Sequence, residues 1–362
     1  MGKIEIVNYL YIYYPNHYIN RMSGYISKTI SCPNLPNEIL SYWINQKNAT
    51  VCKLWNLIQC QKPTSITLSH YGFGDDFFCF LQKRNLTRLD ISQGAYVNFS
   101  MPSISMLKTL IIDQNDIIAD QNLQHLKNVI SLSLEHNASI SSIKHLVNAT
   151  ELNLKCNSGI RDSEIENLTN ITKLNIRYNN LITDCSLMYL TKINHLSLCD
   201  NNFITNKSIL YLTNLTFLDI FYCGGRCHKL ITDKSIKKLT NLRVLRLGNT
   251  YSITYRSLKY LTQLVELTLS ENLVNSNDLI NFTNLESLVA HGSNITGYSV
   301  EKLTGLQSLS LHWNNNITNE NIYKLTNLTN ISLTYCHHLD IDKIKSNLPK
   351  LIKSVAYGCS RY

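Results

Sequence analysis

Hydrophobic positions recur along most of this chain in one fixed order: an aliphatic residue, another three further on, and a third two beyond that. The six-residue core L-x-x-L-x-L, with Ile, Val or Ala allowed, begins at residues 86, 107, 129, 149, 171, 193, 215, 242, 264, 285, 306, 328 and 351. A weaker copy begins at Pro63, with Ile66 and Leu68. Successive copies lie 20 to 23 residues apart, apart from an interval of 27 between 215 and 242. The stretch INHLSLCDNNFITNKSILYLTN, residues 193–214, is representative. A period in this range means stacked supersecondary units, each packing on its neighbours, and not a series of separate globular domains.

Each half of the unit predicts an element. The closing alternation of L-x-x-L-x-L puts two aliphatics on one face of a short strand and the residues between them on the other. Asn or Cys follows, at Asn137, Asn157, Asn179, Asn201, Asn272, Asn314, Cys223, Cys336 and Cys359. A side chain that bonds neighbouring main-chain groups is needed where the strand turns, and a column of them can run up the stack. Next comes ITDxSIxxL, as at 182–190 and 231–239. Thr or Asp is expected to cap one or two helical turns, with Ile and Leu three apart facing inward. A single unit buries too little to offset the entropy of ordering it, so the array stands only as a stack with protected ends. LIKSVAYGCSRY reads as a last strand, with Lys350, Lys353 and Arg361 blunting the edge.

This unit resembles the leucine-rich-repeat family, L-x-x-L-x-L-x-x-N/C-x-L, over residues 63–362. The ITD segment is similar to that of cysteine-containing and internalin-type repeats. The resemblance implies an α/β fold: a solenoid with a parallel concave sheet and short convex helices.

Residues 1–62 do not align to the repeat and are expected to form a small helical cap as a separate region. In LPNEIL, Pro36 suits a first helical position and Glu38 suits the first turn. Ile39, Leu40, Trp43 and Ile44 then fall at helical spacing, as do Val51, Leu54, Trp55 and Ile58 in VCKLWNLI. Two short amphipathic helices joined by NQKN would bury the first strand of the array. The pair LPxEIL and VCKxW also resembles an F-box, the module that docks adaptor proteins onto the Skp1 subunit of a cullin-RING ubiquitin ligase. That resemblance implies a docking surface formed by Leu35, Pro36, Ile39, Leu40, Val51, Cys52 and Trp55. Pro36 and Trp55 are 19 residues apart. This is shorter than in the family, whose middle helix and its Asp-Leu pair are missing here.

Composition narrows the functional classes. The formal charge is +9, yet only 16% of residues are charged and no basic run exceeds two or three. Such a diffuse excess predicts a solvated surface and no nucleic-acid partner. Eleven cysteines without paired spacing point to reduced thiols and a cytoplasmic setting. The N-terminus has no signal-peptide pattern, and no apolar run is long enough to span a membrane, so no membrane partner is expected. Asn-x-Thr or Asn-x-Ser sites at Asn85, Asn148, Asn170, Asn214, Asn294 and Asn327 belong to the repeat, where glycans would obstruct stacking.

Little in the chain asks for catalysis. Cys223, Cys227 and His228 in YCGGRCHKL suggest a metal or haem, but the spacing fits neither, and the segment reads as a loop insertion. No phosphate loop, zinc-protease helix or nucleophile elbow is present, and no cofactor is expected. Function is expected instead on the outward strand positions. Lys155, Lys173, Arg177 and Tyr178 fall there in the fifth and sixth units, followed by Phe217, Asp219, Phe221, Tyr222 and Arg246. His291, His312, Trp313, Tyr335 and Tyr357 come later. Aromatics with arginine are the composition of binding hot spots, although such rings also stack on one another in ladders. The expectation is a monomeric, non-enzymatic substrate adaptor of a Skp1-type ubiquitin ligase, its repeats holding a protein substrate. The alternatives are a repeat scaffold whose N-terminal helices serve only as a cap, and an internalin-like surface receptor.

Overall fold

The computed structural model describes residues 4–5, 65–67, 86–92, 106–221, 230–248, 250–270, 276–292 and 295–357. Within them a single sheet of fifteen parallel strands runs in sequence order, each strand paired with the one before and the one after. The first eight are two or three residues long: β1 (Ile4–Glu5), β2 (Ser65–Thr67), β3 (Arg88–Asp90), β4 (Thr109–Ile111), β5 (Ser131–Ser133), β6 (Glu151–Asn153), β7 (Lys173–Asn175) and β8 (His195–Ser197). β9 (Phe217–Ile220) has four residues. Five residues each make up β10 (Val244–Gly248), β11 (Glu266–Ser270), β12 (Ser287–His291), β13 (Ser308–His312), β14 (Asn330–Thr334) and β15 (Lys353–Tyr357).

Short helices return the chain from one strand to the next. They are α1 (Asp120–Leu123), α2 (Asp162–Ile165), α3 (Asp184–Leu187), α4 (Asn206–Ile209), α5 (Asp233–Ile236), α6 (Tyr255–Leu258), α7 (Gly297–Val300), α8 (Asn319–Tyr323) and α9 (Ile341–Asn347). A 3-10 helix, Ser276–Asn281, takes the place of an α-helix in one unit. The expected helical cap meets one finding: β1 lies in that segment as a strand against β2. The rest of residues 1–62 lies outside the described residues, as do the insertion cysteines Cys223 and Cys227 with His228.

The core sits between sheet and helices and follows the hydrophobic pattern. In one unit Ile171, Leu174, Ile176, Ile182, Leu187 and Leu190 are all buried, and the same positions are buried unit after unit from Leu86 to Leu348. Because these aliphatics repeat in register, each layer covers the next, and no layer is enclosed by itself. The stacking is close enough that side chains matter at single atoms. A Cβ on Gly159 would stand 2.3 Å from the Ile140 carbonyl oxygen, which is why this turn carries glycine.

Three polar ladders join the layers. The first is the asparagine column, predicted from Asn137 onward and found to begin one unit earlier; Asn272, Cys223 and Cys359 lie outside the described residues. Asn115, Asn137, Asn157, Asn179 and Asn201 are buried, and each donates through Nδ2 to a carbonyl of the preceding unit. Their Oδ1 atoms accept from backbone N–H groups two or three residues on, as Asn179 does from Leu181 and Ile182 at 2.9 and 3.1 Å. One amide thus closes its own turn and ties it to the layer below. Cys336 fills the same position near the end of the stack, its thiol 3.8 Å from the Leu311 carbonyl oxygen.

The second ladder corrects the reading of ITDxS. Thr183, Thr205, Thr232 and Thr254 do cap their helices, each accepting from the N–H two residues on. The acid does not cap; it reaches into the following unit. Asp162 accepts from the Thr183 N–H at 2.9 Å, the Thr183 hydroxyl at 2.7 Å and the Ser186 hydroxyl at 2.5 Å. Asp184 does the same with Thr205 and Ser208, and Asp233 with Thr254 and Ser257. Asn206 accepts from the Thr232 N–H and the Ser235 hydroxyl through Oδ1 and donates to the Thr232 hydroxyl through Nδ2. Burial pushes the Asp184 carboxyl up, but the bonds from Ser208 and Thr205 outweigh it and leave the group below its ordinary value.

The third ladder explains the recurring LTN. Asn148, Asn170, Asn214 and Asn327 are exposed, and each donates to a carbonyl of the unit before at 3.0–3.1 Å. Asn241 and Asn284 repeat the bond at 3.0 and 3.2 Å. The described glycosylation-type sites are therefore occupied in holding register.

The buried ladder sets a test. Asn179→Ala leaves one carbonyl and two N–H groups in a dry layer without partners, and is expected to lower the unfolding free energy by about 2–3 kcal/mol. Asn202→Ala, at an exposed position in the turn of the next unit, should change it by less than about 0.5 kcal/mol. Urea unfolding followed by circular dichroism compares the two. Equal losses would remove the amide column from its structural role.

Candidate functional site

The sheet face turned away from the helices carries the residues between and just after the inward aliphatics. Neighbouring parallel strands lie about 4.8 Å apart, so residues one unit apart in sequence become side-by-side pairs. Charges on this face pair accordingly. Lys155 Nζ lies 2.5 Å from Glu135 Oε1, and Lys173 Nζ lies 2.6 Å from Glu151 Oε1. Arg246 gives both Nε and Nη2 to Glu266 Oε1, at 3.0 and 2.7 Å. Arg177 reaches two units along to Asp219, Nη1 to Oδ2 at 3.7 Å. Asp219 was expected among the solvated positions, but it is buried beneath this contact and accepts from the Phe221 N–H. All four expected cations are present on the face, and each meets a carboxylate from another unit.

Rings occupy the same columns. His195 stacks on Phe217 with centroids 3.6 Å apart and planes within 6°. The Arg246 guanidinium carbon is 5.2 Å from the Phe217 centroid, so the ring lies between an imidazole and a cation. Burial, then the charges of Lys173 and Arg246, push the His195 imidazole below its ordinary value. The Lys173 bond, more than any other cause, holds Glu151 low. Toward the N-terminal end, burial pushes Asp113 up despite bonds from the Ser133 hydroxyl and the Glu135 N–H.

A second cluster forms over β12–β15. His312 stacks against Trp313 and Tyr335, with centroids 4.5 and 5.7 Å away, and meets His291 edge-on at 5.4 Å. Tyr335 stacks on Trp313 at 5.5 Å and meets Tyr357 edge-on at 5.7 Å. Trp313 remains 61% exposed and Tyr357 65%. The two readings of these rings therefore hold together: they pack on one another along the stack, and they still present a wide apolar edge. The His312 Nε2 atom is buried and has no hydrogen-bond partner among the described residues.

Backbone geometry decides which rings reach the rim. The residue just before the ladder asparagine, or before its cysteine equivalent, is left-handed in seven non-glycine cases, with φ between 50° and 58°. Tyr178, Trp313 and Tyr335 stand at this position, as do Gln114, His136, Cys156 and Asp200. Their strain, on the order of 1 kcal/mol per residue, is set against a further bond to the neighbouring unit. Examples are Tyr178 N–H to the Cys199 carbonyl at 2.8 Å and Trp313 N–H to that of Thr334 at 3.0 Å.

Of the expected outward residues, Tyr222 lies outside the described residues, and so do Leu35, Pro36, Ile39, Leu40, Val51, Cys52 and Trp55. Phe221 is half-buried. Sequence reasoning passed over His195, Glu135, Glu151 and Glu266. For His195, Glu135 and Glu151 the signal was available, because each lies one unit from an expected residue at the same strand position; Glu266 stands level with Val244 and reaches Arg246 diagonally. Among the described residues no three His, Cys, Asp or Glu side chains converge in a way that could hold a metal ion.

No protein-family model and no curated protein matches the chain. Solved structures do. An internalin, InlF, from Listeria monocytogenes aligns over 83% of this chain and 88% of its own, at 25% identity and a TM-score of 0.57. The functional domain of InlJ from the same organism, which includes a cysteine ladder, aligns over 82% of this chain at 18% identity and a TM-score of 0.55. This chain spans 63% of that domain. The fold is a leucine-rich-repeat solenoid. Its own ladder is mainly of asparagine.

Acid should loosen the outward face. His291 is held below its ordinary value by burial and then by His312, as His195 is by burial and cations. An unfolded imidazole takes its proton near pH 6.5, whereas these two take theirs only at lower pH. Over that interval the unfolded chain binds more protons, so stability falls as pH falls. Urea midpoints between about pH 7 and 5 should drop, and His195→Gln/His291→Gln should flatten the drop. An unchanged slope in the double variant would assign the loss to other groups.

Proposed function

We propose that the chain is a non-enzymatic protein-binding scaffold that takes its partner along the outward face of the sheet. The observation that carries this is the cluster of His291, His312, Trp313, Tyr335 and Tyr357. A contiguous aromatic edge is unusual on a solvated sheet, and aromatics are enriched at the centres of protein interfaces. Mutual stacking fixes the rings before binding, which lowers the ordering cost a partner must overcome. The Phe217–Arg246 pair adds a ring with a guanidinium over it on the same face. Likeness to an internalin of the same fold supports a binding role over a catalytic one. A cytoplasmic setting is in keeping with Cys156 and Cys185, which are free thiols.

A finer reading makes the scaffold a substrate adaptor that docks on Skp1 through Leu35, Pro36, Ile39, Leu40, Val51, Cys52 and Trp55. It rests on LPNEIL and VCKLW as sequence, with the repeat region 63–362 as a second unit. Pulldown with purified Skp1, by the full chain and by Leu35→Ala/Pro36→Ala, tests it directly. Capture that the double variant loses is the expected result; no capture by the folded chain leaves the scaffold without a ligase.

The broader proposal is tested by proximity labelling and pulldown from cell extract. Proteins captured by the full chain should fall by at least about ten-fold with Phe217→Ala/Trp313→Ala. They should persist with Tyr189→Ala/Tyr298→Ala on the helix side. Loss in the second variant and retention in the first would move the binding surface off the sheet.

A further inference from the structure

The cations Lys155, Lys173, Arg177 and Arg246 on the sheet face each meet a carboxylate. On the helix side, Lys302 and Lys324 share Glu301, Lys343 meets Asp340 and Lys345 meets Asp342. Other described cations, Lys127 and Lys144 among them, make no ion pair but stand singly; three consecutive units gather theirs together. The second residue of α4, α5 and α6 is Lys207, Lys234 and Arg256. Three residues on, which is the same helical face, stand Leu210, Lys237 and Lys259, and the next residues are Tyr211, Lys238 and Tyr260. The three helices pack side by side, so these nine positions form a three-by-three grid. Six are exposed cations and none is a carboxylate.

Nothing within the described residues neutralises the grid. None of its six cations makes an ion pair among them. The acid of the central helix, Asp233, is taken up by Thr254 and Ser257. The matching positions in the unit before, Cys185, Met188 and Tyr189, are uncharged, as are Asn277, Ile280 and Asn281 in the unit after. The patch is therefore bounded on both sides. The expectation of a diffuse charge searched for runs along the chain. Here the clustered charges lie 27 and 22 residues apart in sequence, and only the stack brings them together.

Crowded like charges oppose the folded state, so a grid of this kind fits an anionic partner. Five of the six cations are lysines, hydrated point charges suited to a diffuse field of phosphates; bidentate reading of individual groups favours arginine. Clusters of four to eight such residues mark contacts with anionic leaflets. Tyr211 and Tyr260 stand at two corners, 55% and 48% exposed, and tyrosine rings settle at headgroup level. The Lys259 ammonium lies 5.2 Å from the Tyr260 centroid, which keeps ring and charge in one plane of contact. We propose that the outer surface of α4, α5 and α6, with the residues just after each helix, docks on an anionic phospholipid surface as a peripheral contact. No helix among the described residues is long and apolar enough to cross a membrane, and this contact needs none. It uses the side of the solenoid away from the aromatic cluster and does not rest on the scaffold reading.

The full chain is sedimented with phosphatidylcholine vesicles, with and without phosphatidylserine, at low and raised salt. Sedimentation only with phosphatidylserine, weakened by salt, is expected. Lys234→Glu/Lys237→Glu/Lys238→Glu should reduce it at least about ten-fold. Lys108→Glu/Lys127→Glu/Lys144→Glu changes net charge equally on exposed positions elsewhere and should retain it. Both triple variants alter exposed side chains, and circular dichroism melts confirm that each is folded. The proposal is overturned if the folded wild type ignores phosphatidylserine, or if the two triple variants lose binding equally. It is also overturned if the grid is needed for polyglutamate or single-stranded RNA and not for vesicles.

Discussion

The bond from each ladder asparagine to the carbonyl of the unit before it is the interaction on which the rest of this structure depends. Every strand must end after two to five residues so that the chain can turn beneath the sheet. A buried turn leaves main-chain groups that water cannot reach, and each one left unpaired would cost about 1–3 kcal/mol. The Asn157 and Asn179 amides settle these groups in two directions at once, closing their own turn and hanging from the layer below. A thiol holds such groups at longer range, as Cys336 does the Leu311 and Thr334 carbonyls at 3.8 and 3.5 Å. The aspartate ladder repeats the arrangement on the helix side, where Asp184 ties Thr205 and Ser208 to its own layer. Held by two polar columns, the aliphatic layers need only match in size.

Function follows from what that frame leaves unconstrained. Inward positions and ladder positions are committed to the stack, so the outward strand columns and the helix surface are free to vary. Both surfaces translate a spacing of one unit into side-chain contact. On the sheet this produces pairs such as Glu151 with Lys173 and His195 with Phe217, which neutralise and order the face locally. On α4, α5 and α6 the same translation collects six exposed cations, while the one acid there, Asp233, is bonded to Thr254 and Ser257. One rule of register therefore yields a self-satisfied face in one place and an unsatisfied one in another. The difference lies in which residue types fill the column.

This rule also explains how much was legible beforehand. The strands, the aliphatic core and the asparagine column follow from residues within one unit, and among the described residues they stand where the pattern placed them. The acid of ITDxS was misread because a carboxylate one residue past the cap has a local partner available, while its actual partners, Thr205 and Ser208 for Asp184, lie 21 and 24 residues on. Lys155 and Arg246 were read as open cations for the same reason: Glu135 and Glu266 are adjacent only once the units are stacked. His195 went unremarked although it shares a column with Lys173 and Phe217. In each case the missing term was the neighbour one period away, not the residue's own chemistry.

The left-handed residues show how stability and display are joined. A non-glycine side chain at φ near 55° is strained, and a sequence selected for stability alone would place glycine there, as at Gly292. Seven units keep a larger residue. At that position the backbone turns out of the sheet plane just before the ladder asparagine, so its side chain is carried to the rim. Trp313 and Tyr335 stand there and contribute most of the ring surface of the second cluster. The strain persists because the bonds on either side over-determine the turn: the N–H reaches the next strand, and the next residue hangs from the previous layer. The ladder that lets the strand end is thus also what lets an aromatic side chain be held at its edge.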